Sequence, residues 1–248
     1  MRRPLVVAAL AVTAFLTATT AAATDGRFVA TPPLLGDTSY RASTVRYQAD
    51  LAYRSYRSGT TDIAGPSVSL QRPQAFSDRF AFTLGGTAGY LSGSDRIIGS
   101  DDELSVWQAM FQGTGELQHY LTPRWNAIFF AGPQFGIGGY EVEQEEPPHE
   151  RLDADTQLFG YVFGIQSTLR TGSLSITPFV AYEETEARHE MDSSVSGRST
   201  EDYQFDVLQY GVRAELVGSG LVLGATIQRR SVGSQRSRYT IYNLGYRF

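Results

Sequence analysis

The chain has 248 residues, no cysteine, 19% charged residues and a formal net charge of −5 at pH 7. The absence of cysteine excludes disulfides, thiol catalysis and cysteine-ligated metal sites. The acidic balance argues against nucleic acid as a partner. The 25 glycines, 14 tyrosines and 14 phenylalanines favour a fold rich in β-strands.

The first 23 residues have the layout of a cleavable secretory signal peptide. Arg2 and Arg3 form a positive segment, an apolar run extends from Leu5 to Leu16, and small residues end at Ala23. No cysteine follows the apolar run, which excludes a lipoprotein anchor. We therefore predict that residues 1–23 are removed on export.

The rest of the chain divides at residue 43. Residues 24–43 contain two adjacent prolines and no regular period, and are predicted to form an N-terminal periplasmic or luminal segment. In residues 44–248, apolar and polar residues alternate with the period of two that is typical of β-strands. The alternating runs are about 11 to 16 residues long, whereas strands of soluble proteins are usually about 5 or 6 residues long.

This length favours strands that cross a membrane, because a tilted strand crosses a bilayer in roughly 9 to 11 residues. The less apolar face is rich in Gly, Thr, Gln and charges, as expected for the interior of a barrel. The alternative is a soluble β-sandwich whose core is the aromatic face.

The alternation predicts eight strands between Phe80 and Phe248 and a ninth at Thr44–Tyr56. A barrel whose two ends lie on one side of the membrane needs an even number of strands. Ser67–Pro73 is therefore predicted as the partner of the ninth, with Arg57–Pro66 as a loop. The result is an all-β, transmembrane, antiparallel up-and-down β-barrel of ten strands. The alternative has eight strands and an N-terminal extension over residues 24–76.

The connections between strands alternate in length. Tight turns are predicted at Thr122-Pro123, Arg170–Ser173 and Val217–Gly220. They alternate with longer loops at Ser92–Glu103, Glu141–Ala154 and Arg188–Asp202, although Ser231–Gln235 is short. This asymmetry is typical of outer-membrane barrels. Outward-facing aromatic residues near both ends are predicted to form two interfacial girdles: Phe80, Tyr90, Trp107, Trp125, Phe135, Phe159 and Tyr182.

The last strand ends in Tyr242-Asn243-Leu244-Gly245-Tyr246-Arg247-Phe248. This pattern resembles the terminal β-signal of Gram-negative outer-membrane β-barrel proteins, in which apolar residues at every second position precede a final aromatic residue. The resemblance implies location in the cell outer membrane, contact with lipid and lipopolysaccharide, and recognition of Tyr242, Leu244, Tyr246 and Phe248 by the barrel-assembly machinery. In size the chain is similar to small OmpA-like barrels and to omptins.

Charges of both signs fall on the inward phase of the strands. Unpaired charges in a narrow lumen would be costly, so we predict that they pair across it. Eight to ten strands leave an interior that side chains can mostly fill, which argues against a wide porin. The predicted luminal charge network consists of Arg46, Asp50, Arg54, Glu116, Arg170, Glu183, Arg213, Glu215, Arg230 and Arg247.

The chain has three histidines that could take part in catalysis. His119 is predicted to be interfacial, and His149 and His189 to lie in acidic loops. An omptin-like protease would need Asp and His pairs at the rim, and the candidates by residue type are Asp101, Asp102, His189 and Asp192. Their spacing departs from the omptin pattern, in which His and Asp alternate on a strand.

A lipid A-modifying enzyme would need Ser, His and an acid on one barrel face, and no histidine here has a serine two residues away. We predict no catalytic residues, no metal ligands and no cofactor. Seven carboxylates lie between Glu141 and Asp155 against one arginine, so the external loops are predicted to be strongly acidic.

The sequence thus predicts a barrel with a structural or surface-interaction role carried by its acidic loops, and a lumen largely filled by ion-paired side chains. One alternative is a narrow, porin-like pore or transport component for small solutes or ions. Another is a rim-active enzyme, either omptin-like or lipid A-modifying. Other envelope proteins are candidate partners.

Overall fold

The computed structural model describes residues 48–58, 61–77, 79–95, 102–143, 151–194, 197–216, 219–232 and 235–247. Several sequence predictions lie outside these ranges: the signal peptide, the N-terminal segment, and the roles of Arg46, Asp101, His149 and Phe248. The predictions for the side chains of Asp50, Arg54, Tyr246 and Arg247 also lie outside what is described.

Ten antiparallel strands follow one another around the sheet, and the sheet closes because the first strand pairs with the last. The predicted all-β, up-and-down barrel is confirmed. The eight-strand alternative is wrong, because the first two strands lie between the last strand and the third. The strands are β1 (Gln48–Ser58), β2 (Thr61–Ala75), β3 (Phe80–Asp95), β4 (Asp102–Thr122), β5 (Trp125–Glu143), β6 (Arg151–Thr171), β7 (Leu174–Ser193), β8 (Gly197–Leu216), β9 (Leu221–Val232) and β10 (Gln235–Arg247).

The outward face of the barrel is apolar and exposed. Phe129 is 52% exposed, Phe163 is 53% exposed and Leu223 is 51% exposed, although all three lie in regular strands. A soluble sandwich would bury such residues in its core. The sandwich alternative is therefore wrong, and lipid is the environment that suits this face. No helix among the described residues is long and apolar enough to cross a membrane.

The apolar outer band ends at a similar level on neighbouring strands. On β7 the outward series changes from Tyr182 to Glu184, and on β8 it changes from Leu208 to Asp206. Charged side chains facing lipid are strongly disfavoured, so the band marks the hydrocarbon region. On β7 and β8 the band extends from the short turns to Tyr182 and Leu208, close to the roughly 9 to 11 residues that a membrane crossing requires.

Beyond this band, the longest strands continue as a sheet. β4 to β8 have 21, 19, 21, 20 and 20 residues, whereas β1 has 11 and β9 has 12. The excess lies at the end away from the short turns, outside the membrane. We call this projecting sheet the outer wall; it comprises residues 138–143 of β5, 151–158 of β6, 183–193 of β7 and 197–207 of β8.

The outer wall corrects the predicted loops. Most of Arg188–Asp202 is strand, because β7 continues to Ser193 and β8 begins at Gly197. The ends of Glu141–Ala154 likewise belong to β5 and β6. Outside the membrane an outward face can be charged, so the apolar alternation disappears although the backbone pairing continues.

Two other predicted loops are also shorter than expected. β3 continues to Asp95 and β4 begins at Asp102, so the ends of Ser92–Glu103 are strand. The predicted loop Arg57–Pro66 is largely strand as well, because β1 ends at Ser58 and β2 begins at Thr61.

The short turns lie where they were predicted. The turn between β6 and β7 is Gly172-Ser173, and Gly172 has a φ of 61°, in the left-handed region that two-residue hairpin turns require. Counting outward from this turn fixes the register of β6 against β7 over its whole length.

Two aromatic rings lie inside the barrel at membrane level. The Phe130 ring lies over Gly164, where an added Cβ would come within 2.5 Å of the ring. The Phe179 ring lies over Gly211 in the same way. Around these rings the inward residues are mostly polar: Gln71, Thr83, Gln112, Thr114, Gln118, Gln134, Gln166, Gln209, Thr226 and Gln228 are all buried.

Candidate functional site at the extracellular end

His189 lies in strand β7, not in a loop, and its side chain faces the inside of the outer wall. Its Nδ1 is 2.7 Å from the Thr156 hydroxyl on β6, and its Nε2 is 3.1 Å from the Tyr140 hydroxyl on β5. The Tyr140 ring also stacks on the imidazole at 5.2 Å between centroids. Three strands therefore fix the orientation of this ring.

The register of the sheet brings these groups together. Thr156 lies directly opposite His189, which in turn lies opposite Glu201 on β8. Tyr203 is next to Glu201 on the same face and contacts the imidazole edge-on at 6.2 Å. The result is a polar cluster on the inner side of the outer wall, which we call the His189 cluster: Tyr140, Thr156, His189, Glu201 and Tyr203.

Burial controls the ionisation of this cluster. Burial lowers the pKa of His189, while the Glu201 carboxylate partly opposes this effect. Burial also raises the pKa of Tyr140, and its neighbours Tyr203 and Glu201 raise it further. At neutral pH the imidazole is therefore uncharged and the phenol is protonated. A neutral imidazole has one donor and one acceptor nitrogen, which suits its two hydroxyl partners.

The aromatic contacts continue around the inner face beyond this cluster. The Tyr203 and Phe205 rings are 6.0 Å apart, and the Arg230 guanidinium lies over the Phe205 ring at 3.9 Å. A guanidinium at this distance makes a cation–π contact. Arg230, predicted to belong to a luminal ion-pair network, thus has an aromatic partner on β8.

The His–Asp pair considered for an omptin-like protease is not formed. His189 faces inward, whereas Asp192 faces outward on the same strand, where its carboxylate lies 3.5 Å from Arg198. Asp102 begins β4. The described residues contain no group of three or more His, Asp or Glu side chains that could hold a metal ion.

The other charges predicted to be luminal lie on the inward phase of their strands. Glu116 accepts a hydrogen bond from the Thr83 hydroxyl at 2.5 Å. Glu183 accepts one from the Gln134 amide at 3.2 Å, and that amide also donates to the Thr185 hydroxyl at 3.0 Å. The inward group is completed by two buried residues and one half-buried residue: Arg213, Glu215 and Arg170.

The outward face of the outer wall is strongly acidic. Its described residues include ten carboxylates and three arginines: Glu141, Glu143, Asp153, Asp155, Glu184, Glu186, Glu190, Asp192, Asp202, Asp206, Arg151, Arg188 and Arg198. Several carboxylates lie directly opposite one another. Asp153 pairs in register with both Glu141 and Asp192, and Asp155 pairs with Glu190. Like charges in such positions destabilise a sheet.

Arg151 offsets part of this repulsion. Its guanidinium lies 2.7 Å from Glu141, 3.2 Å from Asp153 and 3.4 Å from Glu143. All four side chains are at least 39% exposed, so each pair contributes at most about 1 kcal/mol. The pKa of Glu141 is nevertheless raised, by burial first and by the neighbouring Asp153 and Glu143 carboxylates, although Arg151 lowers it.

The residues predicted to contact the membrane interface all face outward. The seven girdle residues occupy outward positions, and five of them are exposed: Phe80, Tyr90, Trp125, Phe135 and Phe159. Trp107 and Tyr182 are half-buried. His119 is exposed on β4 near the short-turn end. In the last strand, Tyr242 and Leu244 are exposed on the outer face.

Comparisons with known proteins agree with this architecture. The chain resembles the outer membrane protease OmpT from Escherichia coli, with a TM-score of 0.51, 11% identity, and coverage of 85% of this chain and 99% of that chain. A major outer membrane protein from Thermus thermophilus gives a TM-score of 0.42 at 9% identity, with 82% and 98% covered. The attachment invasion locus protein Ail of Yersinia pestis gives 0.35 at 10% identity, also with 82% and 98% covered.

The chain has the fold of an outer-membrane β-barrel. No protein-family model matches it, and no curated protein matches it significantly. The fold and the exposed apolar band together indicate the outer membrane as the location of this barrel, as predicted. At this level of identity the likeness to OmpT concerns the fold alone.

Sequence reasoning missed the His189 cluster, because it treated His189 as a loop residue. The signal that could have found it was the turn at Gly172-Ser173. Counting outward from that turn with continuous strands places Thr156 opposite His189.

Proposed function

We propose that this outer-membrane barrel is a non-enzymatic surface protein whose outer wall binds cationic partners outside the cell. The observation that supports the proposal is the rigid acidic face. Its carboxylates lie on paired strands and repel one another, with three arginines to compensate them. A cationic partner would remove this repulsion and so gain binding free energy.

The regular backbone of the wall strengthens this argument. Carboxylates on a hydrogen-bonded sheet hold their spacing, so a partner does not have to order a flexible loop when it binds. Asp153 and Asp155 on β6 lie beside Asp192 and Glu190 on β7, forming a patch of four carboxylates. Three side chains of the patch are more than half exposed: Asp153 (54%), Asp192 (60%) and Glu190 (53%).

The test is binding of a lysine-rich peptide to the full-length protein in lipid nanodiscs. We expect binding that weakens as salt is raised and that falls about tenfold in the variant Asp155→Asn/Glu190→Gln/Asp192→Asn, since each lost contact contributes some tenths of a kcal/mol. The matched control is Gln157→Asn/Thr200→Ser/Gln204→Asn, which changes the same face without changing its charge.

Equal binding by the acidic-patch variant and the control would contradict the proposal. Binding of a glutamate-rich peptide as strong as that of the lysine-rich peptide would also contradict it. Contact of the apolar band with lipid, contact with lipopolysaccharide, and recognition by the assembly machinery stay predictions of the sequence.

A further inference from the structure

The interior of the barrel at membrane level contains a belt of buried amides and hydroxyls. Gln71, Gln118 and Gln209 come from β2, β4 and β8 and have side chains that are at most 1% exposed. Within the described part of the chain, neither amide atom of any of these three residues has a hydrogen-bond partner. The hydroxyls of Thr114 and Thr226 are also buried and have no hydrogen-bond partner among the described residues.

Such a set of buried groups is costly to leave unsatisfied. A buried amide or hydroxyl without a partner has lost its hydrogen bonds to water and gained none in return. Buried polar groups in proteins are commonly satisfied by internal water, which typically makes about three hydrogen bonds. Donors and acceptors distributed over several strands are therefore suited to a connected group of water molecules. Glu116 and Glu183 lie on the same inner face and add carboxyl acceptors.

Above this belt, two apolar clusters lie on the inner face, on either side of the His189 cluster. Ile63, Leu91, Leu104 and Val142 form one buried cluster across β2 to β5, and Leu152 of β6 packs against it. On the other side, Ala187, Phe205 and Val207 form a second cluster across β7 and β8.

Leu158 extends the second cluster towards β4. It packs against the second cluster, and both its side chain and that of Met110 lie within 3.2 Å of where a Cβ on Gly136 would be. Because Gly136 has no side chain, residues of β4 and β6 can approach over β5. We call the two clusters with Met110 and Leu158 the apolar collar. It lies at and above the level where the outer apolar band ends, and most of its residues belong to the inner face of the outer wall.

We propose that the barrel interior is a hydrated path for water and small inorganic ions, closed at its extracellular end by the apolar collar. A narrow apolar constriction excludes water and therefore blocks ions even where it is not completely filled. In this arrangement the polar belt holds water and the collar prevents it from connecting with the outside. The surface-binding role of the outer wall is independent of this property.

The experiment is conductance of the full-length protein in planar bilayers in potassium chloride. Wild type should conduct poorly, whereas Leu91→Ser/Leu104→Ser/Leu158→Ser should conduct at least about tenfold better, because a polar collar no longer excludes water. The matched control, Leu91→Met/Leu104→Met/Leu158→Met, keeps the collar apolar and should conduct like wild type. Folding of each variant is checked by heat-dependent gel mobility and circular dichroism.

Two further measurements make the outcome decisive. If the triple serine variant does not fold, the single variants Leu91→Thr and Leu104→Thr are measured instead, and each should raise conductance. A folded serine or threonine variant whose conductance is as low as that of wild type would overturn the proposal, because the lumen would then be closed below the collar. Wild-type conductance equal to that of the variants would also overturn it.

Discussion

In this barrel, residues on the two faces of one strand have different roles. His189 and Asp192 are three residues apart on β7, yet one faces the inside of the wall and the other faces solvent. The inward residue is held by Thr156 and Tyr140, whereas the outward residue pairs with Arg198 at 3.5 Å. Distance along the chain is therefore a poor guide to which groups act together in a strand.

The lowered pKa of His189 makes the outer wall sensitive to acid. The unfolded chain binds a proton at His189 near pH 6.5, whereas the folded chain binds it only at lower pH. Stability therefore rises with pH through the interval between these two pKa values, and is lost as pH falls below about 6.5. We expect the protection factors of amides in the upper parts of β6 and β7, which compare observed exchange with the intrinsic rate at each pH, to fall between pH 7 and pH 5.

His189→Gln removes the titrating group and retains a donor and an acceptor, so it should abolish most of this pH dependence. Glu201→Gln is the companion variant: it removes the charge that raises the pKa of His189, and should enlarge the effect of acid. An unchanged pH profile in His189→Gln would assign the acid sensitivity to other groups, such as the outer carboxylates.

Gly164 permits the close packing of Phe130 inside the barrel. A Cβ at Gly164 would come within 2.5 Å of both the Phe130 ring and the backbone oxygen of Val180. We expect Gly164→Ala to destabilise the barrel by about 1–3 kcal/mol, because the ring and the backbone must both move. Gly115→Ala is the control, since the nearest atom to its Cβ would be 3.9 Å away. Urea unfolding in lipid vesicles measures both, and equal stabilities would argue against this packing.

At the level of strands, the sequence predicts the membrane-spanning parts well and the outer wall poorly. Inside the membrane, one face of each strand must be apolar, so alternation identifies segments such as Phe159–Leu169 of β6. Above the membrane, this requirement ends. The run from Glu183 to Asp192 alternates between charged outward residues and mixed inward residues, and a strand with that composition resembles a solvated loop.

The position of the apolar band can be tested with one substitution inside it and one above it. Phe163 lies within the band on β6, and Gln157 lies just above it on the same face. We expect Phe163→Arg to destabilise the protein in vesicles by about 2–4 kcal/mol, because a charge would face hydrocarbon. Gln157→Arg should change stability by less than about 1 kcal/mol. Similar losses of stability in both variants would show that the apolar band extends further from the short turns than its outward residues indicate.

The candidate site was hard to predict for the same reason, because apolar and polar residues no longer alternate above the membrane. The inward phase of Glu116 and Arg213 follows from alternation, because these residues lie within the membrane band, and Glu183 lies just beyond the end of the band on the same phase. The contact of Glu116 with Thr83 joins diagonal neighbours on adjacent strands, whereas that of Glu183 with Gln134 reaches over β6 and does not follow from strand pairing. The register that a turn fixes predicts which residues are neighbours on adjacent strands, but it does not predict which side chains meet across the interior.

For the molecule as a whole, closure of all ten strands is the property on which the lumen depends. Leu51 of β1 lies directly opposite Leu244 of β10, and both face outward. Since the chain has no cysteine, Leu51→Cys/Leu244→Cys would contain a single possible disulfide. Directly opposed residues have the Cα separation that a disulfide needs. We expect the pair to cross-link in the folded protein under mild oxidation.

The matched control for this experiment is Leu51→Cys/Leu223→Cys. Leu223 lies on the far side of Leu244, one strand further around the barrel, and is too distant to bridge. Electrophoresis after unfolding without reductant distinguishes the cross-linked chain. Cross-linking in the control, or none in the Leu51–Leu244 pair, would contradict the closed arrangement.

The unequal lengths of the strands have a mechanical consequence. The ladder between β7 and β8 extends from Leu174 to Ser193, whereas the ladder that joins β1 to β10 extends only from Gln48 to Arg57. Fewer backbone hydrogen bonds hold the two ends of the chain together than hold its central hairpin. When the barrel is pulled apart by force, the rupture should begin along this short ladder, and the tall central strands should separate last.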